Sequence, residues 1–265
     1  MLYKQIKIDT LINKITKKDT LFGGNFIIDP YQNCEFGCRY CDSSLDDTIY
    51  IKTNSEHILK KELKKLEKGT IIVGSVHDPY QRAEEYYKIT RNLLKIIGEN
   101  YFSCHILTKS NLVVRDIDIL SKIKNCKVTI SLITLDKKIL NIFEKNVPSS
   151  KKRLQTIQKL NCAGIDAGIA ILPIIPHINE EEIEDIIKLA KDYNAKYILY
   201  KYLELKGNQK LCFFNILNEF YPNLIEKYKK LYKKDYMPDA KYISKAEKNI
   251  INLCKIYGLE NKIYI

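Results

Sequence analysis

NFIIDPYQNCEFGCRYCDSS, residues 25–44, runs a short apolar segment straight into a loop that carries Cys34, Cys38 and Cys41. Three thiols within eight positions fit neither common structural use of cysteine, because a structural zinc takes four ligands and disulfides take pairs. A further partner must come from elsewhere in the chain or from outside it. His77, His105 or Cys104 would complete a structural zinc site. Alternatively, three thiolates ligate three irons of a cubane cluster and leave the fourth iron open, a Lewis-acidic site for a substrate or cofactor. Gly37 lets the backbone take positive φ, so the loop can wrap a compact centre rather than continue as strand or helix. With eight cysteines in 265 positions, this C-x3-C-x2-C spacing arises by chance in roughly one such chain in a hundred.

The surrounding chain, 265 residues long, is enough for one α/β barrel or two smaller domains. It holds no apolar run near the length of about eighteen residues that a membrane span needs. Its lysine-rich first twenty residues lack the apolar core and cleavage site of a secretion signal. The expected location is the cytoplasm, with no membrane partner. In that reducing compartment, clustered thiols are metal ligands or redox groups more often than disulfides. The remaining cysteines, scattered singly among apolar residues, read mostly as small buried hydrophobes. A formal net charge of +12, from 44 Lys+Arg against 32 Asp+Glu, favours nucleic acid or an anionic surface. That signal is diluted, because nearly all the cations are lysines and runs such as LKKELKKLEKG read as the solvated face of a helix.

No repeat, low-complexity tract or Pro/Gly/Ser-rich linker marks a boundary, so a single domain is expected over 1–265. Within it, 1–25 forms an N-terminal segment, 26–202 the core and 203–265 a helical C-terminal extension. Six short β-branched runs recur through the core: NFIID, TIIVGS (70–75), SCHILT (103–108), KVTISLI (127–133), IDAGIAIL (165–172) and KYILYKY (196–202). Between them, SEHILKKELKKLEKG, AEEYYKITRNLLKIIG, RDIDILSKIK, SSKKRLQTIQKLNCAG and NEEEIEDIIKLAKDY carry apolar residues at three- and four-residue intervals. Near-continuous apolar strands alternating with helices predict an α/β fold, a partial (β/α)6 barrel of the TIM type. Function then collects at the strand C-termini, which makes the cysteine loop, GSVHDPYQ, TKS, SLITLD and LPIIPHIN the informative segments.

In the loop after the first strand, C-x3-C-x-aromatic-C, with Tyr40 as the aromatic, resembles the radical S-adenosylmethionine (SAM) superfamily. DPYQNCEFGCRYCDSS, GSVHDPYQRAEEYYKITRNLLKII, TKSNLVVRDIDIL, SLITLDKKILNIFEKNVPSSKKRLQTIQKLNCAGIDAGIAILPIIPHIN and FYPNL are similar, in that order, to its spore-photoproduct-lyase-like members, often labelled DNA repair photolyases. The resemblance implies a 4Fe-4S cluster on Cys34, Cys38 and Cys41, with SAM bound at the open iron. One electron, from a donor such as a flavodoxin or ferredoxin, cleaves SAM to methionine and a 5′-deoxyadenosyl radical that abstracts hydrogen from the substrate. It further implies Tyr40 near the adenine, Gly74 and Ser75 at the methionine end, Lys109 for the methionine carboxylate, and Ser131 at that end or the ribose.

One departure bears on the substrate. Spore photoproduct lyases carry a hydrogen-donating cysteine at the end of the second strand, where this chain reads VGSVHDPYQ. Tyr80 in that loop, or Cys104 if its thiol faces the barrel interior, would have to donate instead. The favoured substrate is a nucleic acid lesion or modified nucleotide. The rivals are a peptide or small metabolite, and a non-catalytic nucleic-acid-binding or structural metal module. Replacing Cys34, Cys38 or Cys41 with Ala is expected to abolish the visible absorption of the reconstituted cluster, whereas Cys126, Cys162, Cys212 or Cys254 to Ala leaves it intact; loss of iron from the second set would show that the triple is not the whole site.

Overall fold

The computed structural model describes residues 1–17, 19–41, 47–233 and 235–263, so residues 42–44 of the quoted cysteine loop lie outside the described residues. Its strands are β1 (Leu2–Ile6), β2 (Asn13–Lys14), β3 (Phe26–Ile28), β4 (Tyr31–Gln32), β5 (Thr48–Lys52), β6 (Thr70–Val73), β7 (Ser103–Thr108), β8 (Lys127–Ser131), β9 (Asp166–Ile174) and β10 (Ile198–Tyr202). Its helices are α1 (Ser55–Leu63), α2 (Ala83–Tyr87), α3 (Ile89–Glu99), α4 (Ile117–Leu120), α5 (Lys137–Phe143), α6 (Ser150–Cys162), α7 (Ile183–Asp192), α8 (Asn208–Phe220), α9 (Ile225–Leu231) and α10 (Ala240–Tyr257). The main sheet runs β10-β9-β8-β7-β6-β3-β2, with β3 and β6 to β10 parallel and β2 antiparallel on the edge. All six apolar runs in the sequence become the parallel strands, and the arrangement is the partial barrel of six β/α units expected from them.

Apolar residues fill these strands because both faces are covered. Ile71, Val73, Ile106, Val128, Ile130 and Ile169 point outward and pack with Leu93, Leu94, Ile97, Leu154, Ile157 and Ile187 of the helices. Alternate residues point into the barrel, where Ile72, Leu107, Ala170, Leu172 and Leu199 meet Phe22 and Ile27. A third cluster lies at the strand C-termini, where Phe36, Cys38 and Tyr40 of the cysteine loop pack with Phe143 of α5 and with Phe213, Leu217 and Tyr228 of α8 and α9.

Three features departed from the sequence pattern. β1 pairs in parallel with β5, and β5 pairs antiparallel with β4, in a small second sheet. Nearly all of β1 is exposed, so it carries no alternation to betray it. The helical run over AEEYYKITRNLLKIIG breaks at Lys88, which takes φ 53°. There the buried Glu84 carboxylate accepts from the N–H groups of Thr90 (2.9 Å) and Arg91 (3.1 Å), serving the unsatisfied first turn of α3. α5 is a short helix that the sequence pattern did not show, capped by the Asp136 side chain, which accepts from Lys138 N.

His105 fills the N-terminal end of the barrel. Its Nδ1 lies 3.0 Å from Phe22 O and its Nε2 2.6 Å from Thr129 Oγ1. A carbonyl only accepts, so Nδ1 carries the proton and Nε2 accepts from Thr129. Burial lowers the imidazole from its ordinary 6.5 to about 4, against the pull of the Phe22 carbonyl. Between those values the unfolded chain binds a proton that the native state refuses, so stability rises with pH across that window. His105 is therefore expected to contribute stability in full above about pH 6.5 and to lose about 3 kcal/mol of it as pH falls to about 4. Urea unfolding at pH 7 and pH 4.5 checks this; if H105Q keeps the wild-type pH slope, the assignment fails.

Candidate active site at the strand C-termini

A cleft of about 330 Å³ opens at the C-terminal ends of the parallel strands, at the lower end of the size range of small-molecule sites. Cys34, Cys38, Cys41, Tyr40, Gly74, Ser75, Lys109 and Ser131 all line it, with Asp78, Lys201 and an apolar wall of Leu21, Phe22, Leu107 and Leu172. Strand alternation explains the gathering: Gly74 continues the inward row of Ile72, Lys109 that of His105 and Leu107, and Ser131 that of Thr129.

The cysteine loop turns at Gly37, φ 58°, and closes through Cys41 N donating to Cys38 O at 3.0 Å. Arg39 N donates to Phe143 O at 3.0 Å, which fastens the loop to the end of α5. Burial pushes the Cys34 thiol up to about 12, with the Asp78 carboxylate adding to it and Lys109 opposing. Burial likewise raises Cys38 to about 12. Metal ligation by these thiols must therefore displace protons held more firmly than in a free cysteine.

Two aspartates fix the loop that follows β6. Asp29 accepts from Val76 N and His77 N, each at 3.1 Å. Asp78 accepts from Thr108 Oγ1 (2.6 Å), Lys109 N (2.7 Å) and Tyr80 N (2.9 Å), binding the ends of β6 and β7 together. Gly74 is held at φ 84°, and a Cβ there would stand 2.2 Å from Pro79 Cδ and 2.9 Å from Leu107 O. Neither aspartate carried a motif of its own. Their signal was that DPYQ occurs twice, at 29–32 and 78–81, each time just after a parallel strand.

Behind the cleft, Glu144 and Arg153 form a fully buried pair at 2.8 Å. Arg153 also donates through Nη1 to Ser131 O (2.8 Å) and through Nε to Pro148 O (2.9 Å). Tyr40 donates its hydroxyl to Glu144, and Gln209 of α8 donates to the Tyr40 carbonyl. Lys109 Nζ lies 3.9 Å from Glu144 Oε1 and 5.9 Å from the Tyr40 ring centroid. Burial works against the Lys109 charge, but Cys38, Glu144, Asp78 and Cys41 outweigh it and the ammonium is held more firmly than usual. Ser131 Oγ, by contrast, is buried on the cleft wall and finds no hydrogen-bond partner among the described residues. A buried hydroxyl left unpaired costs free energy unless a ligand meets it.

Tyr80 and Cys104, expected as hydrogen donors, are not brought to this cleft. Tyr80 donates its hydroxyl to the buried Asp116 at 3.0 Å and does not line the cleft. Cys104 falls on the outward row of β7, in the layer between sheet and helices, with its Sγ 3.3 Å from Cys126 Sγ. The zinc alternative meets the same obstacle. Cys104 faces outward, both nitrogens of His105 are engaged at the other end of the barrel, and His77 does not line the cleft. Among the described residues, no three His, Cys, Asp or Glu side chains converge as a single-ion cage.

Residues 28–190 match the family model of the Radical SAM superfamily. An uncharacterized protein of Methanocaldococcus jannaschii is 30% identical over 214 residues, covering 77% of this chain and 79% of that protein. An uncharacterized protein of Mycobacterium tuberculosis is 24% identical over 259 residues, covering 90% of this chain and 76% of that one. Among solved structures, a spore photoproduct lyase mutant with bound AdoMet and dinucleoside spore photoproduct superposes with a TM-score of 0.75 at 15% identity, covering 94% of this chain and 79% of that one. Streptococcus suis SuiB bound to S-adenosylmethionine gives 0.54 at 20% identity, over 76% of this chain and 47% of that one.

The Gly74 geometry carries its own test. Gly74→Ala is expected to cost about 2–4 kcal/mol, from left-handed strain plus the overlap with Pro79 and Leu107. Gly164→Ala, where φ is 77° but no atom of the described residues lies within 4 Å of the added Cβ, costs about 1–2 kcal/mol from strain alone. Equal losses in urea unfolding would show that the close approach at Gly74 is not real.

Proposed function

Because the chain belongs to the radical SAM superfamily, whose members use a 4Fe-4S cluster and SAM, we propose that the cleft binds both and directs hydrogen abstraction from a substrate at its mouth. The observation that carries this is the meeting, on one wall system, of three clustered thiols, a firmly protonated Lys109 and the unpartnered hydroxyl of Ser131. That donor set fits the pair of groups: thiols for iron, a cation for a carboxylate, and a hydroxyl for an amino group or ribose. When bound, the cluster supplies one electron that cleaves SAM to methionine and a 5′-deoxyadenosyl radical. Cys34, Cys38 and Cys41 hold the cluster, Lys109 takes the methionine carboxylate, and Gly74 and Ser75 let that end of SAM lie against backbone. Tyr40 lines the adenine side through the short segment it shares with Cys41. Leu21, Phe22, Leu107 and Leu172 exclude water from the reacting region, which suppresses side reactions of a radical. The electron comes from a donor protein of the flavodoxin or ferredoxin kind, in the cytoplasm.

For the substrate we favour a damaged or modified nucleotide within nucleic acid. Its support is the net charge of +12 and the likeness in fold to a lyase solved with a dinucleoside photoproduct. One observation favours the rival, a peptide or small metabolite. Lys201 and Lys206 near the cleft both pair with Glu204, and Arg39 pairs with Glu219 at 3.0 Å, so these cations are partly neutralised. Anaerobic reduction of the reconstituted protein with SAM is expected to yield 5′-deoxyadenosine, faster when a damaged oligonucleotide is present, with binding that weakens steeply as salt rises. Yield indifferent to the oligonucleotide would transfer the reading to the smaller substrates. No yield from a fully loaded cluster would leave only a structural metal module.

A further inference from the structure

We infer that Glu144 is a positioning residue for the SAM site: by holding the Lys109 ammonium on one carboxylate oxygen and Arg153 on the other, it fixes where the carboxylate of SAM is received. The inference rests on the proposed binding of SAM in the cleft, and adds a residue that has no place in the cysteine motif or in the cleft lining. Glu144 follows directly on α5 and is fully buried. A buried carboxylate without partners would be neutral. Burial does push Glu144 upward, but Arg153, Lys109 and the Tyr40 hydroxyl together reverse this and hold it below the ordinary carboxylate range.

Its four attachments lead to four different parts of the site. Arg153 leads to the end of β8 through the Ser131 carbonyl, a bond that does not engage the Ser131 hydroxyl. Tyr40 leads to the cysteine loop, one residue before Cys41. Lys109 is the end of the inward row of β7, with a side chain 18% exposed. The Glu144 backbone closes α5, with its N–H donating to Leu140 O. Glu144 is thus where the cluster loop, the cation and the unpaired hydroxyl are referred to one another. At 3.9 Å the Lys109 contact is an ion pair without a short hydrogen bond, so the ammonium keeps donors for an incoming carboxylate.

The test uses the reconstituted full chain and reads SAM affinity by equilibrium dialysis, with the electron paramagnetic resonance change of the reduced cluster on adding SAM as a second signature. E144Q keeps the shape and removes the charge. It is expected to retain cluster absorption while SAM affinity falls at least tenfold, and K109M to fall by a similar factor. In the K109M background, E144Q is expected to add less than twofold, because its effect passes through Lys109; a merely structural role would multiply the two losses. Should E144Q not fold, E144D keeps the charge for Arg153 but draws it back from Lys109 and is expected to show the same selective loss. Wild-type SAM affinity in a folded E144Q or E144D protein, or multiplied losses in the double variant, overturns the role of Glu144 alone. A wild-type protein that holds its cluster yet binds no SAM overturns the underlying reading and this inference with it.

Discussion

In a strand buried on both faces, successive side chains have opposite destinations, and this alternation governs everything at the mouth of the barrel. One row of each parallel strand meets the helices and the other meets the barrel interior, in a register carried across from β3 to β10. Outward positions are mostly apolar, which supplies the packing, and turn polar at Thr108 where β7 ends. Inward positions become polar only at the two ends: His105, Thr129 and Tyr197 at one, Lys109 and Ser131 at the other. Between these ends lies a short apolar plug of Ile72, Leu107, Ala170 and Leu199. The cleft is thus a shallow space with a closed floor.

The loops above this frame are held by charge and hydrogen bonding as well as by apolar contact. Tyr31 donates to Glu84 at 2.5 Å and Tyr80 to Asp116 at 3.0 Å. Arg115 reaches both carboxylates, at 2.6 and 2.7 Å, and both are fully buried. For buried ion pairs, the cost of desolvation offsets much of the Coulomb attraction. The network is better understood through its directional bonds, which tie the segment before the cysteines to the loop after β6 and to the turn after β7. The two DPYQ segments are matching struts in it: each aspartate binds loop N–H groups near the cleft, and each tyrosine anchors on a carboxylate behind it.

What was legible in the sequence follows the same physics. Six strands could be located because burial on both faces leaves an unbroken apolar run, and the strand ends could be named as the site because parallel β/α units direct their loops to one side. Cys34, Cys38 and Cys41 stood out by spacing alone. The face taken by Cys104 was also within reach, since Lys109 lies five positions further on and an odd offset along a strand means opposite faces. Tyr80 was different, because its direction depends on Asp116, contributed by a distant turn. Glu144 and Arg153 were harder still. Each alone reads as an ordinary helix-surface charge, and only the meeting of α5, α6 and β8 makes them a buried pair. β1 was hidden because its pairing with β5 leaves its side chains in solvent.

The cysteine loop leans on parts of the chain far from it in sequence. Gln209 reaches the Tyr40 carbonyl across 169 positions, Arg39 pairs with Glu219 across 180, and Phe143 stacks on Phe213 and Tyr221 at 6.0 and 6.3 Å. Such contacts close late, because the entropy of long loops must be met before they are rewarded. During synthesis, a chain that has emerged only as far as Tyr202 has all six parallel strands but nothing to press on the loop from above. The cover over the thiols is thus made after the frame beneath it, and α8 and α9 act on the cysteine loop as a latch that closes over a barrel already complete.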